Sequence, residues 1–394
     1  MKKITPVITL LLICSGVPHG TLAFADPVKI GVMLPLTGHQ APFGQIQKKS
    51  VLLAAEEINA GGGVKGKKIE LIIADTQGNP DAGRAAILKL IQHDKVTGIS
   101  GGFSNTATWA AIPIAQKNKI PFLVNSASAD KITEQGWEYV FRLNQPASER
   151  LDAVASFIST AASDIQSVAI VYENSLEHAA DARRFSKKAA ELGLKTVIRE
   201  RFVAGADDFR LLLTRVAAKT PDLIYAVAES AEGAALLVRQ LKDLKLNSKL
   251  FIGGGNGFVR PDFALHAGKA AEHIVCAARW SHRLPYRGAG AFTDKFIARF
   301  KSPPEPWGAE AYAAIAVIAD ALKRVKVMAP QNVRDALAKT RVMTVLGPVE
   351  FVSYNNKSRQ NKTPALLVQW LKGQPEIVWP KHLATQKVVY PIPE

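Results

Sequence analysis

From Val28 onwards, short apolar runs rich in Val, Ile and Leu alternate with helical stretches, and this alternation is what most limits the fold. The clearest unit is Gly98 to Arg142. Val96-Thr97-Gly98-Ile99-Ser100 and Ile120-Pro121-Phe122-Leu123-Val124 read as strands, and Thr106 to Asn118 between them reads as a helix. Two strands joined through a helix run parallel, because an antiparallel pair needs only a short turn. Each strand is followed by a small polar turn, Gly101-Gly102-Phe103-Ser104 and Asn125-Ser126-Ala127-Ser128. In open α/β sheets ligands sit beyond the carboxyl ends of the strands. Short hydroxyl side chains and N–H groups at a helix start suit a carboxylate or similar anion.

The same alternation runs on both sides of this unit. Strands are expected at Val28–Pro35 and Lys68–Asp75, with helices at Gln45–Asn59 and Asn79–His93. Leu36 to Gly44 reads as a loop rich in turn formers. Tyr139 to Arg142 is a further strand, and Gln145-Pro146 marks a crossing to a second unit. That unit carries strands at Ser167–Tyr172, Lys195–Arg201, Leu223–Val227 and Lys249–Gly253. Its helices are Ser148–Ala162, Ala179–Leu192, Asp207–Ala218 and Ala231–Leu241. Ile274–Ala278 leaves it as a strand, and helices follow at Phe292–Phe300, Ala309–Val325 and Gln331–Lys339. Val349–Val352 and Ala365–Trp370 close the chain as strands, with Asn355-Asn356-Lys357 as a turn and an extended strap from Ala384. The pattern predicts an α/β fold of two doubly wound parallel-sheet lobes, with a ligand between their facing carboxyl edges.

The first residues read as a targeting segment. Lys2 and Lys3 precede the apolar Ile4–Val17, and Ala23-Phe24-Ala25 fits a small-x-small cleavage site. Cleavage after Ala25 and a soluble periplasmic product are expected. Ile13 stands before Cys14 where a lipoprotein signal would have a small residue. Loss of Cys14 leaves Cys276, which sits in an apolar strand and reads as a buried thiol rather than a nucleophile. The chain has 50 Lys+Arg and 34 Asp+Glu; without Lys2 and Lys3 the balance is 48 to 34, a net +14. The basic residues are dispersed along helices without aromatic interleaving, so a solvated surface is expected and nucleic acid is not.

Three stretches together carry a family resemblance: Val28–Gly44 (VKIGVMLPLTGHQAPFG), Glu56–Asp75 (EEINAGGGVKGKKIELIIAD) and Gly98–Arg142. Through them the chain resembles periplasmic solute-binding proteins of the leucine/isoleucine/valine-binding type, which serve branched-chain amino-acid and related ABC importers. The resemblance covers essentially all of the chain beyond the leader. It implies two lobes joined by a three-crossing hinge, the type I periplasmic binding protein architecture. The expected division is 26–145 plus 278–362 for one lobe and 146–277 plus 363–394 for the other. It also implies a monomer that closes on a small ligand and docks on an inner-membrane ABC permease, with no cofactor. By resemblance, Ser104 and Ser128 offer a hydroxyl and N–H to a ligand carboxylate, and Ala127 offers backbone groups. Phe43 and Trp307 match aromatic positions that cover the ligand.

The second lobe departs from the amino-acid pattern. Glu229-Ser230 stands where the family usually has an aromatic, and Gly254-Gly255-Asn256 where it has an acid for the ammonium group. The Glu173–Glu177 loop also lacks its aromatic. Either Glu229 replaces the acid from the neighbouring strand, or the ligand has no ammonium. The opposite jaw is therefore expected around Glu177, Glu229 and Asn256. His39 reads as a surface residue near the mouth. Other chemistry finds little footing. Beyond His19 in the leader, the histidines form no His-x-x-x-His pair and have no Cys at zinc spacing. Gly253 to Gly257 lacks the Lys-Ser/Thr of a P-loop, and no Gly-x-Ser-x-Gly elbow occurs. No catalysis is expected. A sensor lobe serving a separate signalling partner and an exported α/β enzyme are the competing readings.

Overall fold

The structure is a computed structural model that describes residues 26–393. The expected leader and its cleavage after Ala25 lie outside the described residues. Two sheets organise the chain. The eight-stranded sheet runs Arg341–Thr344, Gly347–Tyr354, Lys357–Asn361, Val140–Arg142, Phe122–Val124, Gly98–Gly101, Val28–Leu34, Ile69–Asp75. The seven-stranded sheet runs Gln374–Trp379, Leu366–Leu371, Val275–Ala278, Leu250–Gly254, Leu223–Val227, Ser167–Glu173, Lys195–Phe202. Their centres are parallel, and antiparallel hairpins from the end of the chain close one edge of each.

The parallel strands are continuous apolar runs because helices cover both faces. Phe122–Val124, Leu223–Val227 and Leu250–Gly254 are buried at every residue. In the first sheet, Val28–Leu34 pairs with Ile69–Asp75 on one side and Gly98–Gly101 on the other, so the winding reverses there. In the second, Ser167–Glu173 lies between Lys195–Phe202 and Leu223–Val227 and marks the same reversal. Such switch points leave a crevice at the carboxyl edge.

Three crossings join the sheets, near residues 144–146, 279–281 and 362–365. Gln145, buried in the first, donates its amide to Arg279 O in the second and Pro364 O in the third, both at 3.3 Å. The tail beyond Ala384 runs without regular structure against the second sheet. Gln369 there exchanges hydrogen bonds with Val389, and Ile392 N donates to Lys249 O at 2.9 Å. No helix among the described residues is long and apolar enough to cross a membrane.

Local differences from the sequence reading have simple causes. The first helix starts at Ala41 rather than Gln45, because Pro42 occupies a first-turn position where its ring is preorganised. Ser175 caps His178 N, so the next lobe's first long helix begins at Leu176 rather than Ala179. Two strands at the sheet edges, Arg341–Thr344 and Lys357–Asn361, lack the apolar run that marks a strand in sequence.

Candidate functional site: a cleft between the two sheets

The first wall is built from the two polar turns. Gly101 has φ of 125°, and a Cβ there would lie 2.3 Å from Met33 O, so only glycine lets the strand turn so tightly. The turn delivers Ser104 as the N-cap of helix Asn105–Lys117. Its hydroxyl accepts from Ala107 N at 3.3 Å and donates to Gly78 O at 2.9 Å. The second turn is stitched to the first. Asn125 N donates to Gly101 O, and Ala127 N to Gly102 O at 2.7 Å. The Asn105 side-chain oxygen accepts from Ser128 N at 2.9 Å and Ala129 N at 2.8 Å. From below, Arg142 donates to Ala129 O at 2.6 Å and to Thr133 Oγ1 and Gln360, which fixes the turn from the core side.

The opposite wall joins three strand ends of the second sheet. Glu229 holds Asn256 Nδ2 at 2.9 Å on one oxygen and His178 Nε2 at 3.2 Å on the other. Its own N–H donates to Glu173 Oε2 at 3.1 Å. Burial opposes protonation of His178, but Glu229, Glu173 and Glu177 outweigh it and raise its pKa. Asp181 accepts from the buried Tyr225 hydroxyl at 3.2 Å, and Tyr225 stacks on Phe185 at 3.7 Å. Burial, and then Asp181, drive the Tyr225 pKa well up.

Between these walls lies a cavity of about 490 Å³. Ser104, Ser128, Glu177, Glu229, Asn256 and Trp307 line it, and so does His39 at the mouth. Phe43 and Ala127 stand behind the wall. Phe43 stacks on Phe103 at 4.9 Å and meets Trp307 edge-on at 4.7 Å, so it supports the indole that faces the cavity. Ala127 is fully buried with its N–H spent on Gly102. Trp307 itself is 1 % exposed, and its Nε1 has no hydrogen-bond partner.

Sequence reasoning missed the arginines of the wall, Arg150, Arg279 and the exposed Arg184. Arg279 donates to Ser126 O at 2.9 Å and lies 3.5 Å from the buried Glu310. Burial raises the Glu310 pKa, and Arg279 partly offsets it. Burial and the neighbouring Arg279 draw the Arg150 guanidinium down to about 10, so it stays charged at neutral pH. Arg150 stands just beyond the first crossing between the sheets and Arg279 opens the second, and that position was the available signal.

Cys276 donates to Phe258 O and is fully buried, which pushes its thiol pKa up and leaves it inert. Ligand atoms of Glu232, Asp262 and His266 lie within 4.8 Å of one another. Arg260 already pairs with both oxygens of Asp262, so ion pairing accounts for that cluster.

A family model described as periplasmic binding protein matches residues 27–375. The leucine-, isoleucine-, valine-, threonine- and alanine-binding protein of Pseudomonas aeruginosa is 26% identical, over 83% of this chain and 86% of its own. A branched-chain amino acid transporter substrate-binding protein of Streptococcus pneumoniae, solved in complex with isoleucine, is 26% identical with a TM-score of 0.77. It covers 90% of this chain and 100% of its own. An ABC transporter substrate-binding protein of Sphaerobacter thermophilus shares the fold, with a TM-score of 0.78 at 22% identity over 93% of this chain and 98% of its own. With that match spanning both sheets and all three crossings, the chain belongs to the periplasmic binding protein family.

Proposed function

We propose that this protein is the exported solute-binding component of an ABC importer, holding a small carboxylate-bearing or amino-acid-like solute between its lobes. One observation carries the reading: strand-end residues of both sheets line a single cavity beside a three-stranded hinge. A solute that touches both walls only when they approach shifts the population toward the closed form. The closed form then docks on an inner-membrane permease as a monomer, after removal of residues 1–25 on export. The lobes would be 26–145 plus 278–362 and 146–277 plus 363–394.

The wall favours holding over catalysis. The Ser104 hydroxyl is engaged by a helix cap and a carbonyl rather than a base, and His178 faces carboxylates. Its relatives bear names of branched-chain amino-acid binders, and the departures around Glu229 and Asn256 leave room for another solute here.

A thermal-shift panel of amino acids, amides and aromatic and aliphatic carboxylates tests the reading. A solute at a hundred times its Kd adds about 2.7 kcal/mol of stability. At least one panel member is expected to raise Tm in a saturable way. A flat panel, or turnover of a bound compound, would count against it.

A further inference from the structure

Three guanidinium groups line the cleft, and their partners tell them apart. Arg279 holds Ser126 O and Glu310. Arg184 is exposed to solvent. Arg150 is different: among the described residues its Nη1 is shielded from water without a hydrogen-bond partner, and no carboxylate lies within 4.0 Å of the group. Arg150 is half-buried, so it is this unmet N–H edge of a charged group, not the whole guanidinium, that is costly to the fold. The buried Arg142 shows what a structural arginine looks like here, since Gln360, Ala129 O and Thr133 take its donors.

The acids of the wall are in the opposite condition. Glu229 holds His178 and Asn256, Glu177 accepts from Asn105, and Asp181 accepts from Tyr225. An ammonium group entering the cleft would share each of these carboxylates with a donor already in place, and at Glu229 it would meet one on both oxygens. Among the described residues, the cleft groups without a hydrogen bond are mainly donors: Arg150 Nη1, Trp307 Nε1 and His178 Nδ1, the last 4.0 Å from Glu173 Oε1, against one acceptor, Gln40 Oε1. The His178 nitrogen donates when the ring is protonated, the state its carboxylate neighbours favour. Arg279 and Asp181 act on Arg150 through their charges, and Ala147, Leu151, Ala277 and the Trp307 indole supply apolar surface to the same cavity.

We propose that Arg150 is the anion receptor of this cleft and that its solute is an apolar carboxylate without an ammonium group. The proposal rests on the solute-binding reading above and narrows it. The carboxylate meets the guanidinium as a two-pronged pair, which matches the fork of five donors. The hydrocarbon body lies against Leu151 and Trp307. The Ser128 N–H is occupied by Asn105, so the first wall contributes orientation and Arg150 contributes charge.

Titration calorimetry on the intact exported protein decides this with matched probes. These are L-leucine and 4-methylpentanoate, L-phenylalanine and 3-phenylpropanoate, and the neutral 3-phenylpropanamide. At least one deaminated acid should bind about tenfold or more tighter than its parent amino acid. Arg150→Met should weaken that acid about 100-fold, Arg150→Lys should recover part of the loss, and the amide should bind no better than the acid does to Arg150→Met. Ligand-free Arg150→Met should melt at or above the wild-type temperature, because an unpartnered charge is removed. An amino acid that binds tightly and ignores Arg150→Met within about threefold would overturn the proposal and leave the solute-binding reading standing. A fall of about 5 °C or more in ligand-free Arg150→Met would mark Arg150 as structural and overturn it as well. So would failure of both acids to bind at about 10 mM; the wider thermal-shift panel then decides the solute-binding reading by itself.

Discussion

Asn105 reaches across the cleft to Glu177, with Nδ2 to Oε1 at 3.3 Å, while its side-chain oxygen holds the N–H groups of Ser128 and Ala129. One side chain thus braces a turn of the first lobe and touches the second. Asn105→Ala leaves two N–H groups without their partner, and a loss of about 1–3 kcal/mol is expected in chemical denaturation. Asn105→Asp keeps the acceptor but sets a carboxylate against Glu177. It should cost less stability than Asn105→Ala, and should weaken solute binding through repulsion between the jaws.

Gln145 ties the first crossing to both others. Gln145→Ala removes two side-chain hydrogen bonds from a buried site, and about 1–2 kcal/mol of stability should be lost. The hinge should also loosen. Hydrogen exchange at Arg279 and Thr363 is expected to rise relative to the sheet centres. Unchanged exchange at both crossings would show that the bonds are incidental.

Glu305 lies at the start of the helix that carries Trp307, and it faces Arg260 of the other lobe at 3.5 Å. Burial lifts its carboxyl from 4.5 to about 7, with Arg260 opposing the shift. A raised folded-state pKa favours the protonated form. The contribution of Glu305 is therefore fully present below about pH 4.5 and is lost as pH rises through about 7. Glu305→Gln should gain on the wild type across that window, by up to about 3 kcal/mol near pH 8 at 1.36 kcal/mol per pKa unit. Parallel stability curves for the two proteins from pH 4.5 to about 8 would contradict the assignment.

Trp307 is clamped by Phe43 and Phe103 and turns to the cavity. Trp307→Ala should cost about 3–5 kcal/mol, as large-to-small core changes do. Trp307→Phe keeps most of the ring packing and deletes the unpartnered N–H. Its stability loss should fall below about 1.5 kcal/mol while solute affinity still drops.

The architecture was legible because parallel strands buried on both faces become continuous apolar runs, and the helices between them follow their own period. The same regularity sets Ser104, Ser128, Glu229 and Asn256 at strand ends, and all four line the cavity. What stayed hidden depends on contacts distant in sequence. Lys357–Asn361 is polar, yet Gln360 and Asn361 are buried there because their side chains bond Asn144 O and Leu143 O across the sheet. Phe43 reads as a cleft aromatic until Trp307 is seen in front of it. Arg150 looks like any basic residue in the first turn of a helix. Its isolation appears only when the hinge brings Arg279 and Asp181 around it without giving it a partner.

One solute should be held by both lobes at once. Hydrogen exchange with and without a saturating panel member tests it most directly, since protection reports where opening is suppressed. Protection is expected on both walls together, around Ser104–Ala107 and Ser128–Asp130 on one side and Leu176–Asp181 and Gly254–Asn256 on the other. Protection confined to one wall, or appearing away from the cleft, would contradict it.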